Sequence, residues 1–412
     1  MHLFPFCQLT LGNGDIKAMA REASQYSKLR ARAGLVTDTT KQFGRSLFWA
    51  SKQRSSARRG VNLVASQQRN SGIGFYAGII SELAQATGHD VENFNFDGAG
   101  EVQESSLVLS ENTVAVISPG QLPFAQLLYP RVFSPNRFRS AVIFWDVNKI
   151  PKRMGLGFKF LDELWLPSKD GAEAFSAQFD IPVRVISTPV VQLKGGVAGS
   201  MRGHLGIADE FLVAYQFDMG SSAMRKNPWA AVAAYKLAFP NENCGAQLVL
   251  KSSRASETST EWLSLKAMCD QRRDIRLINE FWSEELVASM YLDIDCYLST
   301  HRSEGYGLTV AHALASDKYV IATDFGATRD FMPKEYSDGI PYQLVKIGKN
   351  PVYPSDASWA EPNVEAAAEL LRRAFSDPEG TKIRGIRAGE KVRAEHSFQR
   401  SVDDFVRLLH PE

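Results

Sequence analysis

The chain has 412 residues, 44% of them hydrophobic and 23% charged, with a formal net charge of +1. That length exceeds one ordinary core and predicts two domains, while the near-neutral balance gives no electrostatic case for a nucleic-acid partner. Cys7, Cys244, Cys269 and Cys296 have no CxxC or metal-ligand spacing. They fit reduced thiols in a cytoplasmic protein.

No apolar run reaches the roughly 18 residues of a membrane helix, and the N-terminus lacks the pattern of a signal peptide. Residues 1–59 form an extension whose stretch 41–59 carries Lys41, Arg45, Lys52, Arg54, Arg58 and Arg59 around Leu47, Phe48 and Trp49. Such a basic arm fits a solvated cover for the first domain, or a peripheral contact with an anionic membrane face.

From Gly60 the pattern changes. Val61–Ala65 is predicted as a strand, Gly72-Ile73-Gly74 as a glycine-rich turn, and Phe75–Thr87 as a helix. This strand–turn–helix opens a doubly wound α/β domain over 60–194. Further strands are expected at Val114–Ser118, Ser140–Trp145, Glu163–Leu166 and Val183–Ile186. The glycine-rich residues 195–206 are predicted as a linker.

A second α/β series occupies 207–390. Its strands are predicted at Phe211–Gln216, Gln247–Lys251, Ile275–Ile278, Cys296–Ser299 and Tyr319–Thr323, and helices include Pro228–Phe239, Ser283–Tyr291, Leu308–Ala315 and Val364–Phe375. Residues 391–412 add a C-terminal helical segment, Phe398–Leu409. The fold class expected is therefore α/β, with two Rossmann-like domains facing a central cleft, where the carboxyl ends of parallel strands place ligands.

The segment Ser299–Met332 bears most on function. Glu304, Gly305, Tyr306 and Gly307 lie in the loop between a buried strand and a helix starting near Leu308. Glycines admit a ligand close to the backbone, and free amides at a helix start favour a diphosphate. In Gln216–Pro228, Arg225 and Lys226 lie at a second such entrance. Asp293-Ile294-Asp295 matches a metal-carrying DxD pattern, but it precedes its strand, at the end away from the cleft; no metal site is expected.

This constellation resembles the C-terminal signature of glycosyltransferase family 4, retaining enzymes of the GT-B fold, roughly E-G-[FY]-G-L-x-x-x-E-A-x-A. Glu304–Leu308, Ala313 and Ala315 match it; His312 stands where the second Glu is expected. The resemblance runs from about Gly60 to the C-terminus and includes Phe144–Asp146, Asp162–Ser168, Lys251 and Trp359–Val364.

The resemblance implies transfer of a sugar from a nucleoside-diphosphate donor to an acceptor hydroxyl with retention, without a cofactor. Glu304 and Lys226 would be catalytic. Arg225, Arg302, Gly305, Tyr306, Gly307, Leu308, Thr309 and His312 would bind the donor, and Gly72, Ile73, Gly74, Trp145 and Asp146 would border the acceptor. Bacterial relatives of this type build surface polysaccharide or lipopolysaccharide on glycan or lipid-linked acceptors. Two other readings stay open: a non-catalytic GT-B partner or regulatory protein, favoured by His312, and a dinucleotide oxidoreductase, suggested only by the paired Rossmann-like halves.

Overall fold

The computed structural model describes residues 58–66, 71–96, 109–242 and 244–410. Residues 41–57 of the basic arm lie outside these. Arg58 and Arg59, assigned by sequence to that arm, instead begin the first strand.

Two six-stranded sheets carry the fold, and every pairing within them is parallel. The first contains β1 (Arg58–Ala65), β2 (Asp90–Asn95), β3 (Ser110–Val116), β4 (Phe138–Val142), β5 (Glu163–Leu166) and β6 (Val183–Val185), ordered β2-β1-β3-β4-β5-β6. The second contains β7 (Phe211–Asp218), β8 (Ala246–Ser253), β9 (Ile275–Asn279), β10 (Cys296–Ser299), β11 (Tyr319–Thr323) and β12 (Asp338–Ile340), ordered β12-β11-β10-β7-β8-β9. The order of the second sheet reverses between β7 and β10. A crevice opens at such a point because the loops leaving the two strands diverge to opposite faces.

The central strands are continuous apolar runs because helices cover both their faces. All residues of β10 and β11 are buried. The helix Leu308–Ala315 turns Val310, Ala311, Ala313 and Leu314 into the same core. Edge strand β2 reads DVENFN and has no buried residue, so it shows no apolar alternation.

The glycine turn expected at Gly72–Gly74 is helical. The helix spans Gly72–Ala86, and Ser71 caps it, its hydroxyl accepting from the Gly74 amide at 3.1 Å. The cap satisfies a free amide of the first turn, which lets two glycines sit inside a helix. The stretch 195–206 also holds a helix, Ser200–Leu205. Asp293 caps it by accepting from the amides of Gly199, Met201 (2.8 Å) and Arg202 (3.0 Å). Asp295 accepts from the Leu212 amide at 2.8 Å and from Arg202 at 2.9 Å. The two acids of the DxD match thus secure the chain at the end of the second sheet away from the crevice.

Two segments that follow the second sheet return to the first. A hairpin of β13 (Tyr342–Lys346) and β14 (Ser358–Pro362) inserts Tyr353, Ala357 and Trp359 into the core that holds Trp145, Val147 and Ile150. The helix Phe398–Leu409 packs Val402, Phe405, Leu408 and Leu409 against β1 and the Gly72–Ala86 helix. Phe405 is fully buried and meets the edge of Trp165 at 5.9 Å. Phe405→Ala should therefore cost about 3–5 kcal/mol, read as a lowered urea midpoint of the unfolding transition. A loss below about 1 kcal/mol would mean that this helix does not stabilise the first unit.

Candidate active site

The crevice between β7 and β10 gathers the charged residues singled out by sequence. Leaving β7, the chain makes the short turn Ala223–Lys226, bracketed by Ser222 (φ 67°) and Asn227 (φ 49°). Left-handed backbone outside glycine is uncommon and collects at functional loops. The turn is tied to the β10 loop: the Arg302 amide donates to the Arg225 carbonyl at 2.7 Å, and Thr300 donates to the Asn227 carbonyl at 2.8 Å. Tyr215 donates to the Lys226 carbonyl at 2.5 Å.

These ties bring Lys226 and Glu304 together. The Lys226 ammonium donates to Glu304 Oε1 at 2.5 Å, and Arg225 Nη1 donates to Glu304 Oε2 at 3.0 Å. Arg225 Nη1 also lies 3.2 Å from Asp146 Oδ1, across the cleft beyond β4. Arg225 is buried, and so is Glu304. Burial alone would raise the Glu304 carboxyl; the charges of Lys226 and Arg225 outweigh it and hold it at about 2. Burial, then Arg225, pushes the Lys226 ammonium down, and Glu304 opposes both.

Gly305–Gly307 lead from this cluster to the Leu308–Ala315 helix. A Cβ on Gly305 would lie 3.2 Å from Asp146 Oδ1 and 3.3 Å from the Trp145 amide, so the two domains touch backbone to backbone here. Gly307 has φ +99°, and a Cβ would fall 2.6 Å from Thr328 Cγ2. Only glycine fits that position, directly before the first helical residues, Leu308 and Thr309. Gly72, at the start of the opposing helix, faces Leu308: a Cβ there would lie 3.7 Å from Leu308 Cδ1. Ile73 is half-buried beside it, and Gly74 is buried.

Other expected site residues are spent on the protein itself. Arg302 donates to Glu361 at 2.6 and 2.9 Å and to the Met224 carbonyl at 2.7 Å, and its guanidinium lies over Trp359 at 5.5 Å. Trp145 is buried, with its indole donating to the Lys149 carbonyl at 3.1 Å. Tyr306 is buried against Phe331 at 5.0 Å. His301 braces the loop between the Ser299 hydroxyl (2.9 Å) and the Phe325 carbonyl (3.2 Å). Burial lowers it to about 4, so it is neutral near pH 7 and donates Nε2–H to that carbonyl. Tyr353 and Ser303 were not singled out by sequence. Tyr353 donates to Asp146 Oδ2 at 2.7 Å, and the Ser303 hydroxyl donates to the Asp146 carbonyl. Tyr353 comes from a hairpin that no local motif marks.

No protein-family model matches the sequence, nor does any curated protein. Solved structures do match. Sucrose-phosphate synthase from Thermosynechococcus elongatus is 15% identical, covers 85% of this chain and 98% of its own, and has a TM-score of 0.64. HepE from Anabaena, solved with UDP and glucose, is 12% identical over 85% of this chain and 99% of its own, with a TM-score of 0.60. A UDP-forming trehalose-phosphate synthase from Burkholderia xenovorans is 13% identical over 73% of each chain, with a TM-score of 0.54. The chain has the GT-B fold. In its GT-B cleft, the carboxyl ends of β7 and β10 face the loop that follows β4. Among the described residues, no helix is long and apolar enough to cross a membrane.

His312 belongs to this cleft too. It is buried, meets the edge of Phe75 at 5.1 Å and Tyr291 at 5.9 Å, and sets Nδ1 3.4 Å from the Val191 carbonyl. Burial lowers it from 6.5 to about 4, so the side chain is neutral imidazole rather than a phosphate-binding cation. Its folded value lies below its unfolded one, so unfolding takes up a proton between the two. Stability is therefore full above pH about 6.5 and falls toward pH about 4, by up to about 1.4 kcal/mol per pH unit for this group. His312→Gln should flatten that stretch of the stability–pH curve, measured by urea unfolding from pH 7 to 4. An unchanged slope would place the imidazole in water.

Proposed function

We propose that this chain is a retaining glycosyltransferase that moves a sugar from a nucleoside-diphosphate sugar to an acceptor hydroxyl. The observation that carries the reading is the Lys226–Glu304 pair at the β7/β10 crossover, directly before the helix entrance at Gly305–Leu308. A diphosphate placed on the Leu308 and Thr309 amides would lie beside the Lys226 ammonium. Lys226 would exchange part of its contact with Glu304 for the β-phosphate as leaving-group charge grows. Glu304, held ionised, would accept hydrogen bonds from donor-sugar hydroxyls.

In the reaction, the bond from the anomeric carbon to the β-phosphate oxygen breaks and the electron pair leaves with the diphosphate. The acceptor oxygen bonds to that carbon on the same face, and its proton passes to the departing phosphate. Chemistry of this kind rests on positioning and fixed charge, which a buried, pre-aligned cluster supplies without reorganisation. Lys226 would supply positive charge to the diphosphate, while Arg225 stays bound to Glu304 and Asp146. UDP is the first donor nucleotide to try, since HepE was solved with UDP and glucose. Bacterial surface polysaccharide or lipopolysaccharide assembly is the setting we propose, on a glycan or lipid-linked acceptor, with the arm that precedes β1, residues 41–57, as a peripheral membrane contact.

A second reading, a GT-B protein without catalysis, draws on His312. A neutral imidazole has one acceptor nitrogen and cannot match a carboxylate that accepts from both ribose hydroxyls, and here it is packed against Phe75 and Tyr291. One experiment separates the two. A panel of nucleoside-diphosphate sugars is incubated with the protein, diphosphate release is followed, and the product anomer is assigned by NMR. We expect release with at least one donor, retention in the product, and a loss of about tenfold or more in Glu304→Ala with its fold intact. No turnover of any donor would favour the second reading. An inverted product would overturn retention.

A further inference from the structure

Arg225 is buried between two carboxylates on opposite sides of the cleft. Its Nη1 reaches Glu304 Oε2 at 3.0 Å, Asp146 Oδ1 at 3.2 Å and the Ser303 carbonyl at 2.9 Å. Its Nη2 donates to the Ser221 carbonyl at 3.2 Å and hydroxyl at 3.0 Å. Its Nε is buried with no partner among the described residues. A guanidinium this enclosed and divided has little left to offer a ligand. The two hydrogens of Nη1 go to Glu304 and the Ser303 carbonyl, so Asp146 compensates the guanidinium as a charge at 3.2 Å.

Asp146 is equally constrained. It follows β4 of the first sheet, whereas Arg225, Ser303 and Glu304 leave strands of the second. Tyr353 donates to its second oxygen at 2.7 Å, and Ser303 donates to its carbonyl. Tyr353 belongs to the β13–β14 connection, whose neighbouring contacts also grip the Asp146 loop: Lys149 pairs with Asp356, and the Ser358 amide donates to Asn148 at 3.1 Å. The root of that hairpin is bound as well, through Glu361 to Arg302, two residues before Glu304.

We propose that Asp146 is a positioning residue for Glu304, acting through Arg225, so that a residue of the first domain completes the donor site of the second. The inference rests on the glycosyl-transfer reading for its consequence, but not for the linkage itself. In this arrangement the two cations and two anions of the cluster balance, and Glu304 keeps one oxygen on Arg225 and one on Lys226. With Asp146 withdrawn, Arg225 loses half of its charge compensation and turns toward Glu304 alone. That draws the carboxylate from Lys226 and misplaces the group that orients the sugar. Tyr353 holds Asp146 at the required angle.

The linkage is tested by a double-mutant cycle on urea unfolding. Asp146→Asn and Glu304→Gln are combined, once with Arg225 present and once in the Arg225→Met background. The expected result is non-additive midpoints with Arg225 and additive ones without it. Tyr353→Phe, which removes only a hydroxyl, serves as the mild probe should Arg225→Met fail to fold, and it should couple to Glu304→Gln in the same sense. Kinetically, Asp146→Asn should lower kcat about tenfold while the acceptor KM and UDP affinity stay within about twofold. Additive midpoints in both backgrounds, or additive Tyr353→Phe and Glu304→Gln, overturn the linkage whatever the chemistry. A raised acceptor KM with kcat held overturns it too, by making Asp146 a direct acceptor ligand. Failure of the wild type to bind or turn over any nucleotide sugar instead rejects the transferase reading, and the unfolding cycle still decides the linkage.

Discussion

Much of this molecule depends on how four charges, two of them buried and two half-buried, are satisfied at once. Arg225 and Lys226 leave the second sheet beside β7, Glu304 leaves it after β10, and Asp146 arrives from the first sheet. Removing ions of this size from water costs several kcal/mol each, and replacing such a cluster with apolar side chains is often neutral or stabilising. Stability is therefore a poor explanation for it. What the charges obtain from burial is fixed geometry and a low local dielectric, the two properties on which the proposed transfer would draw.

The surrounding fold meets the demands of that cluster. The crossover between β7 and β10 separates the loops that carry Lys226 and Glu304 by one strand spacing, near enough for a direct ion pair. Backbone bonds between the two loops then fix the pair's register. The β13–β14 hairpin and the Phe398–Leu409 helix bring the end of the chain back to the first sheet. The two domains share packing surfaces as well as a cleft. Glu304, Arg302 and Asp146 each have at least one partner from a distant part of the chain.

The strands and helices around the crevice were legible because their patterns are strong. Cys296–Ser299, Leu308–Ala315 and Tyr319–Thr323 occupy the spans expected from apolar runs and a glycine-led helix start. β2 was not legible, since an exposed edge strand has no buried face to write into its sequence. The Gly72–Gly74 segment was read as a turn because two glycines oppose a helix, and the Ser71 cap that offsets them is a single side chain. Within the site, Glu304 and Lys226 carry motif signals, and the structure adds their direct contact. The inward role of Arg225 and the presence of Tyr353 were hidden, because both follow from partners 79 and 207 residues away. Sequence spacing holds no record of such distances.

The central claim is that the β7/β10 crevice holds a nucleoside diphosphate against Lys226. Calorimetric titration of UDP into the wild type and Lys226→Ala, at one ionic strength, tests it most directly. The account predicts saturable one-site binding to the wild type and an affinity lower by about tenfold in the variant, the worth of one charge-assisted contact. Equal affinity in the two proteins would place the diphosphate elsewhere and contradict the account.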